Sequence, residues 1–308
     1  EISEKDYCRE SPVIDRPSCG LDLGWRVMSP GEYLRIGMLV DSLDRAVELR
    51  LPLSMGRKRD ESKQGWISSL HDLIAFDSRI DLELEGAKTK LGELLLEKPA
   101  GFDKMRQNGL RKLMRETRDQ RVLNVLTEWE ERNSNLCAIR ATVRRRTRRR
   151  KSWLYHNLAA WIAATYGTIV WEGNFSLKLM SMRSENPAFR TAAKYRQWAG
   201  LGELRTAIKN AARKYRSEII QAETLNTTRR CFVCSAEHKG DKSELHLECP
   251  NGHRWDQDIN AARNILFCQF SDGPEQVKRF RIMHGADVTT SIDIPAHLTE
   301  IAVPCSVQ

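Results

Sequence analysis

No stretch of this chain carries the roughly 18 consecutive apolar residues that a bilayer-spanning helix requires, so no membrane-spanning helix is expected within it. The opening Glu1-Ile2-Ser3-Glu4-Lys5 lacks the basic, then apolar, then small-residue progression of a signal peptide. It also lacks an initiator methionine, so a segment of a longer chain is expected. Disulfide-framework spacing is missing as well. Of eight cysteines, Cys231, Cys234 and Cys249 cluster, while Cys8, Cys19, Cys137, Cys268 and Cys305 are scattered. That distribution fits a reducing, cytoplasmic setting. There is no internal repeat, and no low-complexity segment apart from one arginine run.

What is present points to a globular chain with a polyanionic partner. Its 308 residues suffice for one large domain or two smaller ones with a sizeable core. A hydrophobic content of 41% sets it apart from disordered sequences. The net charge of +9, with a pI near 9.2, favours a polyanion.

Residues 1–17 are polar, with Pro12 and Pro17, and read as a lead-in linker. Ser18–Leu23, Tyr33–Val40 and Ala46–Leu51 are short apolar or alternating runs. Pro30-Gly31 and Asp41–Asp44 separate them as turns, which predicts an antiparallel meander. From about Glu61 to Tyr166 the period becomes helical, starting with Trp66, Leu70, Leu73 and Ile74. Lys98-Pro99-Ala100-Gly101 breaks that run. A second helix carries Leu123, Leu126 and Trp129, and a third stripe, Leu154, Leu158, Trp161 and Ile162, ends at Gly167. A buried strand is predicted over Thr168–Glu172, a helix over Pro187–Tyr215 and a strand over Ser217–Thr224. Residues 229–255 form an insert bearing cysteine and histidine, and Ile259–Phe270 a last amphipathic helix. The tail, 271–308, has little signal beyond a strand at Val288–Ile294. The predicted fold is α/β, a mixed sheet with helices on its faces. The element order resembles the ribonuclease H-like fold, in which the first strand, the fourth strand and the last helix converge.

Three carboxylates stand where such a sheet would gather them. Asp22 lies in Cys19-Gly20-Leu21-Asp22-Leu23-Gly24, a short apolar strand broken by glycine. Glu172 ends the apolar run Thr168–Glu172, and Asp258 opens the last helix. Charged residues within or just after apolar strands are uncommon without a partner. Repelling carboxylates in one place call for cations, and hard oxygen ligands suit Mg²⁺ or Mn²⁺. Two such ions, about 4 Å apart, would catalyse phosphodiester hydrolysis. Asp256 rivals Asp258, and Glu223 rivals Glu172 more weakly.

Cys231-Phe232-Val233-Cys234 is a C-x₂-C knuckle, and fourteen residues separate it from Cys249-Pro250-Asn251-Gly252-His253. Cys231, Cys234, Cys249 and His253 predict a closed, structural zinc ribbon, with His238 and His246 as alternative fourth ligands.

Arg144, Arg145, Arg146, Arg148, Arg149, Arg150 and Lys151 supply seven basic residues in eight. On a helix they cover every face, with no acidic block nearby to pair them, so phosphate contact is expected. Arg229, Arg230 and Arg254 flank the ribbon and extend the basic rim. Trp25, Trp171 and Trp255 flank the acids and the knuckle and could stack on unpaired bases, with core packing the first role of Trp171.

Together, a Gly-Leu-Asp-Leu-Gly strand, a Val-Trp-Glu strand, a zinc ribbon, and Asp258-Ile-Asn-Ala-Ala-Arg-Asn-Ile resemble the RuvC nuclease domain of TnpB and type V CRISPR effectors over residues 18–270. The ribbon directly before Asp-x-Asn-Ala-Ala is the most specific element. The resemblance implies a RuvC domain over 18–228 with a helical insertion over about 61–166. It implies a strand-loading ribbon over 229–255 and a third-motif helix over 256–270. It makes Asp22, Glu172 and Asp258 the metal-binding catalytic acids of an RNA-guided DNA endonuclease. The partners would be a guide RNA and target DNA, with guide-binding lobes on the rest of the chain or on another chain, in a prokaryotic or phage-encoded cytoplasmic system. An effector that binds DNA and cuts it poorly is the alternative, and a transposon-associated nuclease of the same fold is another. The match departs from the family at His253, where a cysteine at closer spacing is usual, and at Gly173-Asn174-Phe175.

Overall fold

The computed structural model describes residues 16–28, 33–55, 68–173, 195–222, 227–238, 244–267, 294–299 and 301–305. They fall into two compact units, Glu1–Pro52 with Ser152–Gln308, and Leu53–Lys151. The second unit is shorter than the helical insertion expected over 61–166.

The first unit is built on a mixed sheet. Its strands are β1 (Ser18–Asp22), β2 (Arg26–Met28), β3 (Tyr33–Asp41), β4 (Ala46–Pro52), β7 (Thr168–Glu172), β8 (Glu218–Ala222) and β11 (Ala302–Cys305). The order is β11-β4-β3-β1-β7-β8, and β2 pairs β3 beyond the end of β1. The β11–β4, β4–β3 and β3–β1 pairs are antiparallel, while β1–β7 and β7–β8 are parallel. Leu34, Ile36, Met38, Leu39 and Val40 are all fully buried, so β3 is covered on both faces. The turn to β4 is fastened by Asp41, whose carboxylate accepts from the Leu43 and Arg45 N–H groups at 2.9 Å. Asp44 takes φ 57°, a conformation that Asp tolerates in turns.

Gly20 shows why this strand needs glycine. It pairs with Val40 and Val170, and a Cβ there would lie 2.2 Å from the Ala262 carbonyl oxygen. The helix that presses so close is α5 (Gln257–Phe267). Ala262 joins Met38, Val40 and Ala46, and Ile265 and Leu266 join Val170 and Ala222. These contacts lay α5 across the sheet centre. Another helix, α4 (Leu201–Tyr215), buries Leu201, Leu204, Ala207, Ile208 and Ala212 on one side.

The second unit holds the short pair β5 (Ser54–Met55) and β6 (Ser68–Ser69), then α1 (Leu70–Leu94) and α2 (Gln107–Glu116). Its core joins Leu84, Ala87, Leu91, Phe102, Leu110, Val122, Leu126 and Trp129. From Gln120 a single helix, α3 (Gln120–Thr165), runs unbroken for 46 residues. The two helical stripes separated in the sequence by the arginine run are therefore one helix. No glycine or proline interrupts 120–165, and the run's polarity weakens the apolar period without breaking the helix.

Of the strands in the mixed sheet, β2 and β11 escape sequence reading, as does the separate short pair β5 and β6. Of the strand expected at Val288–Ile294, only Ile294 is described, and it lies in no element. Glu223, residues 268–270 and the start of the Pro187–Tyr215 helix lie outside the described residues. Among the described residues, no helix is long and apolar enough to cross a membrane.

Candidate metal and nucleic-acid site

Parallel pairing of β1 with β7 brings Asp22 and Glu172 to the same end of the sheet, since Leu21 lies opposite Trp171. Laying α5 across β1 and β7 brings its first turn, with Asp258, to that end too. Burial pushes the Asp22 carboxyl up to about 8, and the charges of Asp258, Glu172 and Asp256 add to the rise against Arg26. Residues 150 positions apart in sequence thus share one electrostatic field.

Asp256 belongs to the same cluster with a second duty. Its Oδ1 accepts from the Asp258 and Ile259 N–H groups at 2.9 and 3.3 Å, so it caps α5. The signal was the Asp-x-Asp spacing at a helix start.

Two arginines missed in the sequence enter the site. Arg35, on β3, is 7% exposed. Its Nη1 donates to Asp256 Oδ2 and to Asp258 Oδ2, both at 2.9 Å, and its Nε donates to Glu48 Oε1 at 2.8 Å. Glu48 is itself buried and also accepts from Arg50 at 2.6 Å. Arg26 Nε stands 3.5 Å from Asp258 Oδ2. On the other flank, Arg205 lies 4.6 Å over the Trp171 ring and donates to the Glu172 carbonyl at 3.4 Å.

The ribbon folds as two knuckles. β9 (His246–Glu248) and β10 (Arg254–Asp256) form a hairpin that turns through Gly252 at φ 79°. The first knuckle closes where Cys231 N–H donates to Ala236 and Ser235 N–H to Cys231. Ligand atoms of Cys231, Cys234, Cys249 and His253 all lie within 4.8 Å of one another, the one such group of three or more Cys, His, Asp or Glu among the described residues. The Cys234 and Cys249 sulfurs are 3.6 Å apart, and Cys249 Sγ is 3.3 Å from His253 Nδ1. His238 turns its Nδ1 to the Glu248 carbonyl at 2.8 Å instead, and His246 is exposed on β9. Burial raises the Cys234 thiol, but hydrogen bonds with Ala236, Asn251, Cys231 and Cys249 outweigh it and bring it down to about 6.

Asn260 and Asn264 of α5 fasten the ribbon to the sheet unit. Asn260 Oδ1 accepts from the Phe232 N–H at 2.9 Å, and its Nδ2 donates to the Arg230 carbonyl at 2.8 Å. Asn264 donates to the Thr227 and Arg230 carbonyls, each at 2.7 Å. The asparagines of the Asp-Ile-Asn-Ala-Ala-Arg-Asn motif thus hold the knuckle in place beside the acids.

The basic residues divide. Arg144, Arg145, Arg146, Arg148, Arg149 and Arg150 are exposed on α3. Lys151 is 6% exposed, so the expected phosphate contact fails for it: its turn of α3 faces inward, like Val143 and Thr147. Arg230 is exposed, Arg229 half-buried, and Arg254 exposed but paired with Glu248 at 2.6 Å. Trp171 and Trp255 are buried, which removes them as stacking platforms, whereas Trp25 is half-buried.

A protein-family model, the Cas12f1-like TNB domain, matches residues 202–265, the span of α4, β8, the ribbon and α5. The chain is 30% identical over 280 residues to the CRISPR-associated DNA-binding protein Cas12m of Thermanaerosceptrum fracticalcis, covering 86% of this chain and 46% of that protein. It is 29% identical over 274 residues to the like-named protein of Allomeiothermus silvanus, covering 83% and 50%. The chain therefore spans about half the length of these curated relatives. Among solved structures, the Cas12f1–sgRNA–target DNA complex matches with a TM-score of 0.34 and 16% identity, over 84% of this chain and 51% of that one. A CRISPR-Cas12f ternary complex matches with a TM-score of 0.36 and 17% identity, over 83% and 40%.

Proposed function

We propose that this chain, a type V CRISPR effector/TnpB-like protein, is the ribonuclease H-like RuvC part of an RNA-guided DNA-binding protein, with Asp22, Glu172 and Asp258 as its divalent-cation ligands. The observation that carries this reading is the meeting of β1, β7 and the first turn of α5 at one end of the sheet, where Asp22 feels Asp258 and Glu172. The strand order, antiparallel neighbours followed by two parallel strands, supports the ribonuclease H-like arrangement.

The donor set fits Mg²⁺ or Mn²⁺. It consists of carboxylate oxygens, the ligands such hard ions prefer. Burial first, and then the repulsion of the neighbouring acids, lifts Asp22 to about 8, and a cation would relieve the repulsion. Two such ions, if bound, would supply water activation and stabilisation of the leaving oxygen for phosphodiester hydrolysis. The chain's own residues supply the frame. Asp22 and Glu172 would hold the ions from adjacent strands, and the Asp256 cap fixes the first turn that presents Asp258.

Cys231, Cys234, Cys249 and His253 are read as a structural zinc site. The 3.6 Å separation of the Cys234 and Cys249 sulfurs is close to the edge of about 3.8 Å that Zn–S bonds of ~2.3 Å give a tetrahedron. Four ligands leave no open position, so this metal orders the ribbon. The exposed arginines of α3, with Arg229, Arg230 and Arg254, are read as phosphate contacts for guide RNA and target DNA. The remaining guide-binding lobes would come from the rest of the protein or from another chain, in a cytoplasmic setting.

A second reading, RNA-guided DNA cleavage, is favoured by the presence of all three acids. Binding without cutting is favoured by the relatives' names and by the arginines on Asp258. Both are tested by isolating the full-length protein with its co-purifying RNA, sequencing that RNA, and titrating complementary and scrambled DNA. Equal affinity for the two DNAs would sink RNA-guided binding. Mg²⁺-dependent cutting of the matched DNA that disappears in Asp22→Ala would establish cleavage.

A further inference from the structure

Four acidic side chains share one electrostatic field at the sheet end: Asp22, Glu172, Asp256 and Asp258. Two guanidinium groups stand beside Asp258. Arg26 stands at the edge, and Arg35 comes from within the sheet. Arg35 is not a surface ion pair. It is 7% exposed, and Glu48 holds its Nε at 2.8 Å while Arg50 holds the other Glu48 oxygen. Tyr33 adds a hydroxyl to Glu48 at 3.3 Å. The guanidinium is therefore oriented before it reaches the acids, and its Nη1 is aimed at Asp256 and Asp258 together.

A cation already lies where the third acid would offer an oxygen to metal. Divalent ions bind carboxylate oxygens at ~2.0–2.1 Å for Mg²⁺. With Nη1 2.9 Å from Asp258 Oδ2, an ion on that oxygen would meet a fixed positive charge at close range. We infer that Arg35 is a built-in counter-cation of the acidic site, holding Asp258 in place of a divalent ion and so setting how readily the site loads metal.

The inference rests on the reading of Asp22, Glu172 and Asp258 as cation ligands, and the two are separable. The probe is Mn²⁺, followed by the EPR signal of the free ion, on the full-length, zinc-loaded protein at fixed pH and ionic strength. Arg35→Gln removes the charge and keeps a hydrogen-bonding side chain. Removing one fixed charge a few ångströms from the ion should tighten Mn²⁺ at least about tenfold. Adding Asp258→Asn should abolish that gain, which assigns it to this site. Arg35→Met with Glu48→Gln removes both buried partners, with Arg50 still beside position 48, and should show the same gain if Arg35→Gln folds poorly. Equal Mn²⁺ affinity in wild type and these variants would overturn the inference and leave the metal site standing. Weaker binding in the variants would also overturn it, by making Arg35 a positioning residue that prepares Asp258 for metal. No saturable Mn²⁺ binding in any variant would overturn both.

Discussion

Gly20→Ala is the substitution whose cost is most directly worked from the structure. The added Cβ would lie 2.2 Å from the Ala262 carbonyl oxygen, 2.7 Å from Leu266 Cβ and 2.8 Å from the Leu266 nitrogen. Two of the three are backbone atoms of α5, so no flexible side-chain end can yield. To restore ordinary contact the helix must lift by roughly 1 Å, opening its seam with Val40 and Val170, and such overpacking costs ~3 kcal/mol. For a unit of this size that lowers Tm by about 6–12 °C. Gly24 is the internal control, because nothing lies within 4 Å of a Cβ placed there. Gly24→Ala should stay within about 0.5 kcal/mol of wild type. Urea and thermal unfolding of the two variants beside wild type is the assay. A Gly20→Ala protein that melts with wild type, or a Gly24→Ala protein that melts as low as Gly20→Ala, would refute the packing argument. It would also remove the reason α5 sits where Asp258 can reach Asp22.

Three other outcomes are expected. Cys249→Ser should loosen the ribbon and spare the sheet, raising amide exchange over 245–256 while β1, β3 and β4 stay protected; equal exchange everywhere would contradict a local structural metal. In buffer free of Mg²⁺ and Mn²⁺, stability should fall as pH rises from about 4 towards 8. The folded Asp22 carboxyl, raised to about 8, holds a proton that the unfolded chain has already released. The slope is at most about 1.4 kcal/mol per pH unit. Asp22→Asn should flatten this slope, and an unchanged slope in that variant would assign the effect elsewhere. Replacing Arg144, Arg145, Arg148 and Arg149 by Gln should weaken nucleic-acid binding across sequences and reduce its salt slope by about one per lost phosphate contact, as filter binding at several ionic strengths would read.

Much of the sheet was legible because its strands carry their own signal. β1, β3, β4, β7 and β8 are apolar runs bounded by turns, and Asp41–Asp44 is a turn by its own hydrogen bonds. β2 and β11 have no such signal. Arg26–Met28 is a strand only because Tyr33–Arg35 pairs with it, and β11 carries Pro304, a residue that suits an edge such as this one. The acids were legible because each broke an apolar pattern. Arg35 breaks one too, between Leu34 and Ile36, and Glu48 does the same on the neighbouring strand. Opposite charges inside two adjacent apolar strands are the signal that would have found them. Lys151 misled because composition gives no facing: the run is basic on every side, yet one side of α3 is buried.

Central to the account is that Asp22, Glu172 and Asp258 form one cation site. The most direct measurement is an anomalous difference map from crystals of the full-length protein soaked in Mn²⁺. The account predicts a peak on the Asp22 and Glu172 oxygens at the end of β1 and β7, beside the first turn of α5. A map with Mn²⁺ elsewhere and none among these three acids would contradict it.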